Sequence, residues 1–201
     1  MSEIVPTRGE RTRDEILSAA LQLFIDRGYH GTSMRQIARQ AGIALGGIYN
    51  HFSSKEEIFF EVLMAYHPMF DVLPALQDAR GESVEEIISH AATLMLGRYE
   101  QRLDFINLMF IEMVEFKGQH VSQLFDIAFP QVMSFANRAL QDRPELRPIP
   151  MPILMRAFIG LFFSYMITEI LIGRQLPPES QENSLNYLVD IYLHGVMRQA
   201  S

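Results

Sequence analysis

Throughout the chain, apolar residues recur at intervals of three and four, and no convincing run of alternating apolar and polar residues interrupts that spacing. A period near 3.6 turns one stripe of each segment toward a core, whereas a strand needs a period of two. The predicted fold is therefore all-α. A first helix reads from about Thr12 to Arg27, with Ile16, Leu17, Ala20, Leu21 and Phe24 on one stripe and Gly28 as its stop. Ser33 with Gln36 makes a capping box for a short helix that ends at Gly42, and a second short helix follows from Leu45 to about Phe52. Ser53 with Glu56, or Ser54 with Glu57, opens a helix from Lys55 to roughly Tyr66, which Pro68 and Pro74 must bend or end.

Longer and more apolar helices follow, at about Val84 to Tyr99, Leu103 to Lys117, His120 to Leu140, Pro152 to Arg174 and Glu179 to Arg198. Pro130 is expected to kink its helix. The prolines at 144, 148, 150 and 152 mark a connecting loop, and Pro177 with Pro178 separates the last two helices. With 201 residues, 48% apolar and no cysteine, the chain can bury a core without disulfide staples, which suits a reducing, cytoplasmic setting. The opening residues through Glu15 are largely polar and charged and lack the apolar run and small-residue cleavage site of a secretory signal. Ile153 to Gly173 is nearly membrane-length, yet Arg156, Ser164, Thr168 and Glu169 interrupt it, so a buried helix in a soluble assembly is expected and no membrane partner.

The formal charge is −7, unevenly spread: seven Lys/Arg face five Asp/Glu up to Lys55, and ten face nineteen after it. A slightly basic head on an acidic body fits a small DNA-reading module. Within that head, Thr32 to Lys55 places two short helices around a tight turn at Gly42, the outline of a helix-turn-helix, although ordinary helix pairs share it. The residues go further than the outline. Thr32, Ser33, Ile37, Ala38, Ala41, Gly42 and Ile43, then Gly46, Ile48, Tyr49, His51 and Phe52, then Ser54, Lys55 and Glu56, closely resemble the amino-terminal module of the TetR family of transcriptional regulators. The likeness extends back through Arg11, Ile16, Ala19, Ala20, Phe24 and Gly28-Tyr29, over about residues 9 to 63.

The resemblance implies a DNA-binding domain over residues 1–54 and a larger helical domain over 55–201 for effector binding and dimerisation. It also implies a double-stranded operator, a small-molecule effector and a homodimer as partners, with no cofactor. Positions matching Thr32, Ser33, Tyr49, His51 and Lys55 touch the DNA backbone in the family. Those matching Ala44, Leu45, Gly47 and Asn50 face the groove, and Arg35 is a further candidate. Where relatives often carry Ser, Thr or Lys, this chain has Ala44, Leu45 and Gly47, leaving fewer direct hydrogen bonds to bases.

In the body, Met109, Met113, Phe116 and Phe162 stand among many Met and Phe residues that would suit a mostly apolar effector. Glu112 lies among apolar helical neighbours and needs a partner if buried; Arg156 is the candidate, as a structural pair or as part of a ligand site. No cluster has the spacing of metal ligands. The stripe Leu185, Leu188, Val189, Tyr192, Leu193 and Val196, with Gly160, Ser164 and Thr168 on the preceding helix, reads as an association surface or as internal packing. A ligand-responsive repressor is the first reading. An all-helical enzyme with an incidental helix-turn-helix and an effector-independent architectural DNA binder are the alternatives; the enzyme lacks a phosphate loop, HExxH, GxSxG or thiol nucleophile.

Overall fold

A computed structural model describes residues 7–99, 104–175, 177 and 183–197. Leu103, Glu179 and Arg198, used above as helix limits, and Pro178 of the separating pair lie outside them, as does the opening stretch through Pro6. Ten α-helices are found among the described residues: α1 Arg8–Arg27, α2 Met34–Gln40, α3 Leu45–Ile48, α4 Lys55–Tyr66, α5 Met69–Asp78, α6 Val84–Tyr99, α7 Asp104–Glu115, α8 Val121–Leu140, α9 Met151–Ile172 and α10 Ser184–Val196. A 3-10 turn, Gly173–Gln175, follows α9.

The helices gather into two compact units, Met1–His67 with Arg102–Leu124, and Pro68–Gln101 with Phe125–Ser201. By this grouping α4 and α7 keep company with α1–α3, a different partition from a cut after Ser54. In the first unit α1 packs on α2, α4 and α7. Its core is built from Ile16, Leu17, Ala20, Leu23 and Phe24 of α1, with Ile37, Ile48, Phe52, Ile58, Phe59 and Leu63. Leu21 is only half-buried. Helix α1 starts a turn earlier than expected, because Thr7 and Glu10 form a reciprocal capping box.

Helix α5 was not anticipated, since Pro68 and Pro74 signalled a break. Pro68 instead serves as its N-cap and Pro74 lies inside it. An interior proline costs about 3 kcal/mol. Met69, Val72, Leu73 and Leu76 are all buried, and each such side chain contributes roughly 1.5–3 kcal/mol. Packing against α6 outweighs the proline. Pro130 likewise sits within a continuous α8.

In the second unit α10 packs on α6 and α9. Leu185, Val189, Tyr192, Leu193 and Val196 are buried there, and Tyr192 Oη donates to the Leu154 carbonyl at 3.0 Å. Burial pushes that phenol up to about 12. Of the two readings of this stripe, internal packing holds for these five residues, while Leu188 is half-buried and Gly160, Ser164 and Thr168 of α9 are exposed. Left exposed are Ile153, Ile159, Phe163, Leu171 and Ile172 of α9 and Tyr187 and Ile191 of α10. Only 28% of the apolar stretch Met151–Glu169 is buried.

His67 follows α4, with its ring 4.2 Å from that of Phe105. Burial lowers it from an ordinary 6.5 to about 4. Between those values the unfolded chain binds a proton that the folded chain refuses. Stability is therefore expected to be complete above about pH 6.5 and to fall as pH drops toward 4, by about 3 kcal/mol from this group. Urea unfolding from pH 7 to 4.5 should show that slope, and His67→Phe should flatten it; an identical slope in both proteins would refute the assignment.

Candidate nucleic-acid interface

Local chemistry sets the helix-turn-helix. Ser33 Oγ accepts from the Gln36 amide at 3.3 Å, while Gln36 Oε1 accepts from the Ser33 amide at 2.8 Å and from its hydroxyl at 2.6 Å. At the other end of α2, Gly42 at φ 70° carries a Schellman closure, with Ile43 N donating to Ala38 O at 2.9 Å and Gly42 N to Arg39 O at 3.3 Å. Ala44 then starts α3 without a side-chain cap. The α-helix stops at Ile48, short of Phe52, and winds on through i to i+3 bonds from Asn50 N to Gly47 O (3.2 Å) and His51 N to Ile48 O (3.0 Å). An uncapped start and two adjacent glycines explain the short α-helical run.

Ser54 Oγ caps α4 by accepting from Glu57 N at 3.0 Å. The Glu57 carboxylate reaches the Ser53 amide at 2.7 Å and hydroxyl at 2.6 Å, which hold its carboxyl below the usual range. Of the two alternative capping pairs, Ser54 with Glu57 is the one that forms, and Ser53 bonds to Glu57 rather than to Glu56.

Three side chains brace this unit from within. Thr32, 2% exposed, donates its hydroxyl to Gly28 O at 2.9 Å and Leu23 O at 3.1 Å. Lys55 Nζ donates to Tyr29 O at 2.6 Å and Thr32 O at 2.7 Å, and lies 4.0 Å from the Tyr29 ring centre. Burial draws that ammonium down from its ordinary value, against an opposing pull from Glu115. Arg13 donates to the His51 carbonyl at 3.0 Å, pairs with Glu61 and stacks 4.3 Å from the Phe52 ring. The expected phosphate ligands Thr32 and Lys55 therefore have their hydrogen-bonding groups directed at backbone carbonyls of the head. The sequence reading missed Arg13; its signal was a cation one turn ahead of Ile16 and Leu17 on the buried stripe.

The outward side is supplied by other residues. Ser33, Arg35, Ala44, Tyr49 and Asn50 are exposed, Tyr49 by 53%, and Leu45, Gly47 and His51 are half-exposed. A Cβ placed on Gly46 or Gly47 would meet nothing within 4 Å, and neither glycine has a positive φ. Nothing inside the chain requires glycine at these positions. They leave the backbone of α3 open to close approach by another body.

The ligand candidates divide between the units. Met109 is half-buried, Met113 exposed, and Phe116 stacks on Phe59 with centroids 4.7 Å apart, all in the first unit. Phe162 is core in the second unit, where Arg156 is exposed. Glu112 is fully buried, and its partner is His120 rather than Arg156: Oε1 accepts the His120 amide at 2.7 Å and Oε2 the Nδ1–H at 2.8 Å. Lys117 (φ 56°) and Gly118 (φ 77°) turn the chain back so that His120 faces the preceding helix.

Residues 16–62 match the family model described as bacterial regulatory proteins, tetR family. The chain is 23% identical over 187 residues to the HTH-type regulator YvkB of Bacillus subtilis, covering 92% of this chain and 97% of that one. It is 44% identical over 104 residues to the HTH-type repressor KstR2 of Mycolicibacterium smegmatis, covering 52% of this chain and 38% of that protein. Among solved structures, NalD of Pseudomonas aeruginosa, described as the secondary repressor of the MexAB-OprM multidrug efflux pump, superposes with a TM-score of 0.69 at 22% identity. That alignment covers 96% of this chain and 100% of NalD, a likeness of fold.

Proposed function

Because the chain belongs to the TetR family of DNA-binding transcriptional regulators, we propose that it is a ligand-responsive repressor, a cytoplasmic homodimer on a pseudo-palindromic operator. The observation that carries this reading is the open row from Ala44 to His51, where two glycines unneeded by the fold clear the way for a duplex. Tyr49, His51 and Ser33 offer hydroxyl and imidazole groups to phosphate oxygens, while Leu45, Gly47 and Asn50 meet base edges, Leu45 as an apolar partner for a thymine methyl. Arg35, exposed at the start of α2, reaches the flanking backbone. Thr32 and Lys55 act as the frame that holds these groups in place. Two relatives named as repressors support the sign of regulation. The curated relatives are named transcriptional regulators, which favours a non-enzymatic role.

Tyr49→Phe and His51→Ala are expected to weaken binding to an operator and to scrambled duplex alike. Asn50→Ala should also change sequence preference, since a good base contact discriminates by about 1–3 kcal/mol. Fluorescence anisotropy at several salt concentrations reads both effects. Unchanged affinity in the Tyr49→Phe, His51→Ala double variant would remove this face from DNA.

The exposed apolar residues of α9 and α10 support a subunit contact, because a helix so apolar around its circumference needs more cover than one chain provides. A twofold pair sets two α3 helices about 34–36 Å apart for successive major-groove faces. Phe163→Glu is expected to yield monomers by sedimentation and to cost most of the operator affinity; a wild-type monomer at micromolar concentration would refute the dimer. The effector is a small, mostly apolar molecule, with Met109, Met113 and Phe116 proposed as contacts in the first unit.

A further inference from the structure

In the second unit, the end of α5, the start of α6 and the end of α8 surround an open cleft of about 410 Å³ whose lining includes Gln77, Arg80, Ile87, Arg138 and Arg143. Arg80 and Arg138 both donate to the Gln77 main-chain carbonyl, Arg138 through Nη2 at 3.3 Å, and Arg138 Nη1 also reaches Gln77 Oε1. Arg80 donates further to Ala79 O at 2.9 Å, and Arg143 to Glu82 O at 3.0 Å. Arg138 also lies 5.9 Å from the Phe135 ring centre. Among the described residues no carboxylate pairs with any of the three; the ion pairs lie elsewhere.

Two guanidinium groups that meet on one carbonyl oxygen repel each other, and a carbonyl dipole does not neutralise a full charge. Each guanidinium has five N–H donors, and most of them face outward rather than bonding within the chain. We propose that this cleft is a binding site for a small phosphate-bearing anion of the diphosphate class, gripped by Arg80, Arg138 and Arg143. The planar fork of arginine matches phosphate oxygens two at a time, and the cleft falls within the size of small-molecule sites, roughly 300–1,000 Å³. Buried Ile87 supplies an apolar wall for the rest of such a molecule. The exposed carboxylates Glu82, Glu85 and Glu86 stand nearby on the chain and disfavour an extended polyanion over a compact one.

Pyrophosphate is the probe, titrated into the full chain by calorimetry and thermal melting at constant ionic strength, with sulfate as the matched control. The expected result is saturable binding, one per chain, with Tm raised by roughly 5 °C or more at 100-fold excess over Kd. Arg80→Gln with Arg138→Gln should weaken it at least about 30-fold, since two charge-assisted forks are lost. Tyr49→Phe with His51→Ala should leave it unchanged, which separates this site from the duplex-facing residues. If the Arg80, Arg138 variant misfolds, Arg143→Gln decides; it removes a single bond to a carbonyl and should weaken binding about 5-fold. Equal binding in the arginine variants, loss in the Tyr49, His51 variant instead, or a response at tens of millimolar that sulfate reproduces, an adventitious ion only, would each overturn the site.

Discussion

Glu112→Ala is expected to destabilise the chain by about 2–5 kcal/mol, the cost of leaving two buried donors without their acceptor. At this chain length that corresponds to a Tm lower by roughly 10 °C. Both carboxylate oxygens accept from His120, which itself packs between Phe59, Phe60 and Phe116. Losing the carboxylate strands a buried amide and an imidazole N–H among aromatic rings. Replacing both partners by apolar groups, Glu112→Leu with His120→Phe, should recover much of the loss, as buried pairs replaced as units often do. Differential scanning calorimetry on the single and double variants decides it. A Glu112→Gln protein that melts like wild type and fails only in ligand response would instead make Glu112 an effector anchor.

Gly46→Ala with Gly47→Ala is expected to move stability and DNA binding in opposite directions. Alanine favours a helix over glycine by up to about 1 kcal/mol per position, and the added methyl groups meet no atom within 4 Å. The variant should therefore melt a few degrees higher, at roughly 2–4 °C per kcal/mol. The same methyl groups stand where the duplex approaches the α3 backbone, so operator affinity should fall by roughly 10-fold, equivalent to about 1.4 kcal/mol. Thermal melting and operator titration on one preparation read both. Tighter or unchanged operator binding in the stabilised variant would mean that the glycines do not serve close approach.

Stability gained where binding is lost is the pattern expected of residues kept for function. It also fits the absence of polar side chains at 44, 45 and 47, since backbone proximity and apolar contact can take over part of the reading.

The sequence by itself determined the elements whose causes lie within four or five residues. The Ser33–Gln36 box, the Gly42 stop and the Ser54 cap place α2, the start of α3 and α4 where the apolar period predicts them, and α4 and α6 match their expected limits. The Thr7–Glu10 box was equally legible and would have placed the start of α1. Tertiary structure alone decided which polar groups meet. Lys55 reaches Tyr29 from 26 residues away, Arg13 reaches His51 from 38, and both become braces. It also decided α5, where burial against α6 outweighs a proline that local rules treat as a break. Helix caps and turns are settled by short-range backbone bonding; the partner of a buried charge is settled by which distant segment excludes water around it, and no periodicity encodes that.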